Sequence, residues 1–467
     1  MSEHDYDVLV LGGGSAGTSA ASAAVAAGAR TAMINDGELG GLCILRGCMP
    51  TKALLASAHE AVAGVHAEEL GLRFSGSFEP DFPAIMARKD AQVARFKKAK
   101  VDSIDSADYE VIDGRGRFVE GEAIEVNGKR LTAKSYVIAT GSAPNVPPID
   151  GLDEVGYLTS DSVMALTEQP ESLLVQGGGA IGLELAQFFA RIGTKVVLAS
   201  RSPLLARLDP SAGEELSAAL ASEIEIHQPA SLSAVEKSGE LIAATISGPD
   251  GERRFEVEKI LIAAGRGASL SDIGLEHVGL TPERGRLKHD ARLRTDNPRV
   301  FLAGDSTGQK QILHLANQEG RVAGHNAAGG EPQEIDYRLF MSAIFTDPPF
   351  AQVGITPKEA EERIASGEVV VGQASFPSTG RAITMGVKHG EWKLLVDRAS
   401  GEILGSTIVG PRADDLVHVI SVMMHGRMTV DDVLVMPWYH PTLSEVMLNL
   451  VRDVAKQRGT GAVADQA

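Results

Sequence analysis

An α/β chain, built from two copies of a βαβ unit and completed by an α+β region, is predicted by three observations. A glycine-rich loop stands between an apolar strand and an Ala-rich helical stretch near the N-terminus. A second such loop recurs about 165 residues later, and the last third of the chain turns to alternating, strand-like segments. The 467 residues suit this division, because at roughly 150 residues per domain about three hydrophobic cores are expected.

The first unit opens at Tyr6 with Tyr-Asp-Val-Leu-Val-Leu and passes through Gly12-Gly13-Gly14-Ser15-Ala16-Gly17. It continues as an Ala-rich helix and returns in a strand at 31–34. The second opens at Ser172-Leu-Leu-Val-Gln, passes through Gly177-Gly178-Gly179-Ala180-Ile181-Gly182, runs as an apolar helix to Ile192 and returns at 195–199. Pro144, Pro147 and Pro148 punctuate the chain near residue 150, and Gly329-Gly330-Glu331-Pro332 punctuates it again. These breaks divide the chain into 1–150, 151–268, 269–332 and 333–467. In the last segment 392–396 and 403–409 alternate as antiparallel strands, and 414–425 has the pattern of a helix packed on them. The helical stretch 83–100 carries Lys and Arg between Ile85, Val93 and Phe96, and its charges read as a solvated face.

Composition narrows the function. With 43% hydrophobic and 23% charged residues the chain is an ordinary globular protein. A net charge of −18 repels nucleic acid and anionic lipid, so neither is an expected partner. No run of about 18 apolar residues suggests a membrane span. The opening Met1-Ser2-Glu3-His4-Asp5 lacks the order of a signal peptide, which makes the cytoplasm the expected compartment. The two cysteines, Cys43 and Cys48, are too few for a disulfide framework or a four-cysteine zinc site, and no metal is expected.

Each glycine loop has the form that cradles a pyrophosphate. The first glycine permits the tight turn, the second lets backbone approach the phosphates, and the third lets helix and strand pack closely, with the anion on the helix N-terminus. Gly12, Gly14 and Gly17 satisfy this, as do Gly177, Gly179 and Gly182. The end of the following strand selects the dinucleotide, because a carboxylate there binds ribose hydroxyls whereas a 2′-phosphate needs cations. Asn35 and Asp36 stand there in the first unit, compatible with an unphosphorylated adenosine. In the second, Ser200-Arg201-Ser202 is followed by Arg207, with no acid before Asp209, which argues for NADPH over NADH.

Cys43 and Cys48 lie in Gly40-Gly41-Leu42-Cys43-Ile44-Leu45-Arg46-Gly47-Cys48-Met49-Pro50-Thr51-Lys52. A regular helix would separate residues five apart by about 7.5 Å along its axis and about 140° around it. The pair therefore meets only across a loop or a distorted first turn, which Gly47 and Pro50 permit. A helix starting there, with Arg46 beside it, would lower a thiolate's pKa. On these residues alone the pair is a redox couple, two small buried apolar side chains, or part of a metal site.

The Cys43-x4-Cys48-Met-Pro-Thr-Lys52 segment, directly after a dinucleotide loop, resembles the class I pyridine nucleotide-disulfide oxidoreductases, the group of glutathione reductase, dihydrolipoamide dehydrogenase and mercuric reductase. The resemblance extends through Val137-Ile138-Ala139-Thr140-Gly141-Ser142, Phe301-Leu-Ala-Gly304-Asp305 and Tyr439-His440-Pro441-Thr442-Leu443-Ser444-Glu445. It implies two Rossmann-like dinucleotide-binding domains, with 269–332 returning to the FAD domain, and a dimerisation domain at 333–467. Gly12, Gly14, Gly17, Asn35, Asp36, Thr140, Gly141 and Asp305 would then bind FAD, and Gly177, Gly179, Gly182, Arg201 and Arg207 would bind NADPH. Lys52 would pair with Glu184 beside the flavin. Cys48 would face the flavin, Cys43 would attack the substrate, and His440 held by Glu445 would shuttle the proton across a homodimer interface.

Leu42 and Leu45 stand where the family usually has Thr and often Asn. Trp438 replaces the further His usual in lipoamide dehydrogenases, and the additional C-terminal cysteines of mercuric and large thioredoxin reductases are absent from the sequence. The expected activity is thus NADPH-dependent reduction of a small disulfide through FAD, with NADH as the weaker donor. Dihydrolipoyl oxidation, flavin-based reduction of metal ions or quinones, and a non-catalytic redox sensor stand as the alternatives.

Overall fold

The structure, a computed structural model, describes residues 4–62, 70–72 and 79–460, and the ends of the chain on which the leader and tail readings partly rest lie outside them. The chain gathers into two compact units. The first comprises Met1–Ala53, Ala87–Asn145 and Gly265–Asp336, and the second Leu54–Met86, Val146–Ala264 and Tyr337–Ala467.

In the first unit, a five-stranded sheet has the order Val300–Leu302, Ala133–Ile138, Tyr6–Leu11, Thr31–Asn35, Glu110–Asp113. All its pairings are parallel, with Val8 opposite Thr31 and Ser135. A parallel sheet is covered on both faces, which is why Tyr6–Leu11 reads as a continuous apolar run. Val8 and Val10 pack with Ala16, Ala20 and Ala24 of the helix Ser15–Ala26, while Leu9 and Leu11 face Phe118, Ile124 and Tyr136. The Ala-rich helix packs on the helix Leu313–Ala327, where side chains on Gly320 and Gly324 would collide with the carbonyls of Ala16 and Ala20.

In the second unit, a second five-stranded parallel sheet has the order Glu225–His227, Lys195–Ala199, Ser172–Gln176, Lys259–Ile262, Leu158–Thr159. The strands Ser231–Ser238, Leu241–Gly248 and Gly251–Val257 form an antiparallel meander beside it in the chain. The C-terminal region is the antiparallel sheet Met341–Ile344, Phe350–Gly354, Ile403–Val409, Glu391–Asp397, Val369–Ser375. Helices Ala413–His425 and Val446–Arg458 cover it, so the alternation at 392–396 and 403–409 does reflect an α+β region. Trp392 is fully buried, stacks on Phe376 with ring centroids 5.9 Å apart and donates its indole N–H to Ser406 Oγ at 2.9 Å.

Two expectations are modified. The C-terminal part of the helix Cys48–Ala61 packs with the second unit: Leu54, Leu55 and Ala58 join Phe82, Phe188 and Phe189 in its core. The helix over 83–100 extends over Phe82–Asp105, and its cations are not all solvated. Arg95 and Lys98 are exposed, but Lys89 is buried against Asp90 at 2.7 Å, and Lys100 turns inward to donate to Thr18 Oγ1 at 2.8 Å. Long basic side chains can lay their stems on apolar surface, so helical spacing alone does not reveal which of them turn in. No helix among the described residues is long and apolar enough to cross a membrane.

Candidate functional site

The two glycine loops have closely matching local geometry. Gly12 has φ +116 and Gly177 has φ +132, and a Cβ at either would strike the carbonyl of Ala139 or Ala263 on the neighbouring chain segment. A Cβ on Gly17 would collide with Gly12 O, and one on Gly182 with Gly177 O, so only glycine lets each helix start against its own loop. Gly14 and Gly179 are extended N-cap residues that offer the helices Ser15–Ala26 and Ala180–Arg191 no capping side chain, and neither first turn contains an acid. Such helix N-termini are left for an external anion. A dinucleotide pyrophosphate fits the first cradle on these grounds.

Asn35 ends the strand Thr31–Asn35, buried, with Nδ2 donating to Gly37 O at 2.6 Å; Asp36 is exposed. A side chain at Gly13 would meet Asn35 Oδ1, and one at Gly178 would meet Ser200 Oγ, so Ser200 occupies in the second unit the place of Asn35 in the first. The carboxylate position is thus filled by a small hydroxyl that donates to Ser202 O at 2.7 Å. Arg201 and Arg207 are exposed and make no hydrogen bond or ion pair among the described residues.

Asp305 lies in the turn Gly304–Thr307 after the strand Val300–Leu302, where Gly304 has φ +69. Its Oδ2 accepts from Ser142 Oγ at 2.6 Å, and Ser142 Oγ in turn accepts from Arg266 Nε at 3.0 Å. Gly304 N–H donates to Glu319 Oε2 at 2.7 Å, a carboxylate with no exposed surface. Thr140 Oγ1 donates to Ser269 O at 2.7 Å, and Gly141, at φ +76, accepts from Ser269 N–H at 2.9 Å. Arg266 and Glu319 were missed by sequence reasoning, since each reaches this turn from more than ten residues away and no local spacing marks them.

The cysteine segment breaks where the spacing required. A short helix Gly41–Leu45 ends at Arg46, which has φ −143, and Cys48 begins the helix Cys48–Ala61. Gly47 packs back onto the first turn, where a Cβ would lie 3.0 Å from Leu42 O and 3.3 Å from Cys43 Cα. Both cysteines are free thiols, Cys43 partly buried and Cys48 exposed. Cys43 S–H donates to the Cys48 sulfur. That bond, followed by burial and the charge of a Cys48 thiolate, holds the Cys43 thiol far above the ordinary thiol range. Of the two thiols, Cys43 is therefore the one held in its protonated form, while Cys48 stands at the start of its helix. Lys52, four residues on, draws the Cys43 pKa down by its charge without reversing the rise.

In the second unit, His440 Nδ1 and Glu445 Oε1 are 2.7 Å apart, and Glu445 Oε2 accepts from Thr442 N–H at 3.0 Å. The His440 contact is the main cause that depresses the Glu445 carboxyl below its ordinary range. The imidazole remains 72% exposed, so its other nitrogen is open to a reactant. Glu184 lies buried on the helix Ala180–Arg191 and accepts from Phe345 N–H at 3.0 Å. Lys52 belongs to the first unit and Glu184 to the second. No group of His, Cys, Asp or Glu suited to a metal ion occurs among the described residues.

Comparison with known proteins assigns this arrangement to a family. Residues 6–320 match the family described as Pyridine nucleotide-disulphide oxidoreductase, and residues 340–451 match its dimerisation domain. The chain is 37% identical over 452 residues to a mercuric reductase of Streptomyces lividans, covering 94% of each. It is 34% identical over 450 residues to a dihydrolipoyl dehydrogenase of Chlamydia muridarum, covering 94% of this chain and 95% of the relative. Among solved structures, the Cu(II) complex of the HOCl-induced flavoprotein disulfide reductase RclA from Escherichia coli superposes with a TM-score of 0.82. It shares 25% identity over 97% of this chain and 99% of the other. The chain therefore belongs to the pyridine nucleotide-disulphide oxidoreductases, FAD-dependent enzymes that use a pyridine nucleotide and here carry the dimerisation domain of the family.

Proposed function

We propose that the enzyme is an NADPH-dependent reductase of a small disulfide, working through Cys43 and Cys48 as a cytoplasmic homodimer whose partner subunits share the site. The observation that carries this reading is the thiol pair itself: two cysteines in hydrogen-bond contact across the break between two helices, with the Cys43 thiol held up by that bond.

FAD, when bound, accepts a hydride from the nicotinamide and passes two electrons to the cysteine disulfide. Gly12, Gly14 and Gly17 would hold its pyrophosphate, Asn35 and Asp36 its adenosine, and Thr140, Gly141 and Asp305 the remainder, with Lys52 and Glu184 beside the ring. Gly177, Gly179 and Gly182 would hold the NADPH pyrophosphate, with Arg201 and Arg207 on its 2′-phosphate. Two electrons break the Cys43–Cys48 bond, leaving a thiolate on Cys48 and a thiol on Cys43. Across the homodimer interface, His440, oriented by Glu445, would take the Cys43 proton as that sulfur attacks the substrate disulfide, and return it to the departing substrate thiolate. Cys48 then attacks Cys43 in the mixed disulfide, and the second substrate thiolate leaves and takes up a proton from solution. The sum is one hydride and one proton consumed and two thiols released.

A second reading routes the electrons from the same dithiol to a soft metal ion. It is favoured by the names of the mercuric reductase relative and of the Cu(II)-bound structure. The sequence contains no further cysteine to receive such an ion, which weighs against it. Steady-state turnover should be measured with glutathione disulfide, lipoamide, coenzyme A disulfide, quinones, Hg(II) and Cu(II), each with NADPH and NADH. Fastest turnover with a disulfide and NADPH is expected, abolished in Cys43→Ser. Turnover only with metal ions or quinones, or disulfide turnover that survives in Cys43→Ser, contradicts the disulfide reading, and negligible turnover with every acceptor leaves the redox sensor.

A further inference from the structure

The loop between the strand Lys195–Ala199 and the helix Pro210–Leu220 carries both candidate 2′-phosphate arginines, and its far end is tied to the C-terminal sheet of the same unit. Asp209, 2% exposed, caps the helix: its Oδ1 accepts from Ala212 N–H at 3.3 Å. The same oxygen accepts from Lys393 Nζ at 2.6 Å, and Oδ2 accepts from Thr407 Oγ1 at 2.6 Å. Lys393 lies on Glu391–Asp397 and Thr407 on Ile403–Val409, so two adjacent strands of the C-terminal sheet clamp one carboxylate. Lys393, 7% exposed, also reaches Glu391 at 3.0 Å and donates to Ser211 Oγ.

Helix capping alone needs only the Asp209 oxygen that faces Ala212; a buried lysine from a distant strand exceeds that need. The turn before Asp209 is correspondingly fixed. Leu205 has φ +53 and its carbonyl accepts from Leu208 and Asp209 N–H at 2.8 and 2.9 Å, while Leu208 O accepts from Lys358 N–H at 3.0 Å. Leu204 is buried, and its N–H donates to Gln228 Oε1 at 2.8 Å. Arg207 is the exposed member of this turn, two residues from the clamped carboxylate.

We propose that Lys393, acting through Asp209, is a positioning residue that sets the selectivity for NADPH over NADH by fixing the Arg207 turn. The inference rests on the proposed contact of Arg207 with the 2′-phosphate. NADH lacks that phosphate, so loosening the turn penalises NADPH alone, whereas a merely structural role would weaken both nucleotides or neither.

The test uses the FAD-loaded full chain and measures KM and kcat for NADPH and NADH in wild type, Arg207→Ala, Lys393→Met, Thr407→Val and Lys393→Arg. Lys393→Met should raise KM for NADPH about tenfold with KM for NADH and kcat changed less than twofold. Thr407→Val should act in the same direction more weakly, and Lys393→Arg should restore most of the preference. If Lys393→Met does not fold, the Thr407→Val ratio decides, since that change removes one hydrogen bond and leaves the ion pair intact. If Arg207→Ala shifts the NADPH-to-NADH ratio while the clamp variants leave it at the wild-type value, the proposal is overturned and the assignment of Arg207 stands. If Arg207→Ala itself leaves the ratio unchanged, the assignment of Arg207 fails and the proposal falls with it.

Discussion

Cys43 and Cys48 share one hydrogen bond, and that bond sets them apart. The Cys43 thiol is held up by its bond to the Cys48 sulfur and by burial, so of the two it is the one held in the protonated form. Replacing Cys43 by Ala removes that S–H donor and should lower the thiolate fraction on Cys48 at a given pH, read by ultraviolet thiolate absorbance. A thiolate fraction unchanged from wild type would contradict this. The His440–Glu445 pair gives a second prediction at this scale. His440→Ala should lower the disulfide turnover by about 10²- to 10⁴-fold at neutral pH, the range for a lost general acid–base. Glu445 also links stability to pH. Its folded pKa is depressed, so its contribution is present above the unfolded value of about 4.3 and is lost as pH falls through the folded value. The stability gap between wild type and Glu445→Gln should therefore shrink as pH is lowered below about 4.3, and a gap independent of pH there would refute the cause given.

At the scale of elements, the helix Ala180–Arg191 serves two masters. Its start is set by the glycine loop, and its end carries Arg191, whose side chain is 2% exposed and pairs with Glu223 at 2.7 Å and Asp347 at 3.0 Å. Gln187, fully buried, donates to Asp347 O at 2.9 Å and accepts from Asp347 N–H at 2.8 Å, holding the segment that presents Phe345 N–H to Glu184. Arg191→Met would leave two carboxylates without their cation, one of them half exposed, and should cost more in chemical denaturation than the loss of a fully exposed pair, which is worth under about 1 kcal/mol. None of this was legible in the sequence, because Arg191, Glu223 and Asp347 are dispersed and an arginine at the end of a helix reads as an ordinary C-terminal cation. The glycine loops were legible because sterics allow few alternatives to Gly12, Gly17, Gly177 and Gly182 in a strand–turn–helix, and the strand periods of 392–396 and 403–409 were legible because one repeating contact generates each. The inward turn of Lys100 and the buried Lys393 were hidden for the opposite reason: composition and period treat every lysine alike.

The whole molecule is a pyridine nucleotide-disulphide oxidoreductase with a dimerisation domain, and the two compact units divide its candidate chemistry. The thiols lie in one unit and the candidate proton shuttle in the other. Large apolar side chains are exposed in the dimerisation region, Val422 at 71%, Val435 at 76% and Tyr439 at 84%. A dimer interface formed by this region would take such side chains out of water. Val422→Glu combined with Val435→Glu should convert the dimer to a monomer by light scattering and abolish disulfide turnover. A monomer with full turnover would contradict a shared site.

The central claim is that electrons from NADPH reach the acceptor through the Cys43–Cys48 couple, with the Cys48 thiolate next to the flavin. Anaerobic titration of the FAD-loaded enzyme with NADPH, followed at long wavelength, tests it most directly. A thiolate-to-flavin charge-transfer band should grow in wild type and be absent in Cys48→Ser. A band that persists in Cys48→Ser, or that never forms in wild type although the flavin is reduced, would contradict the account.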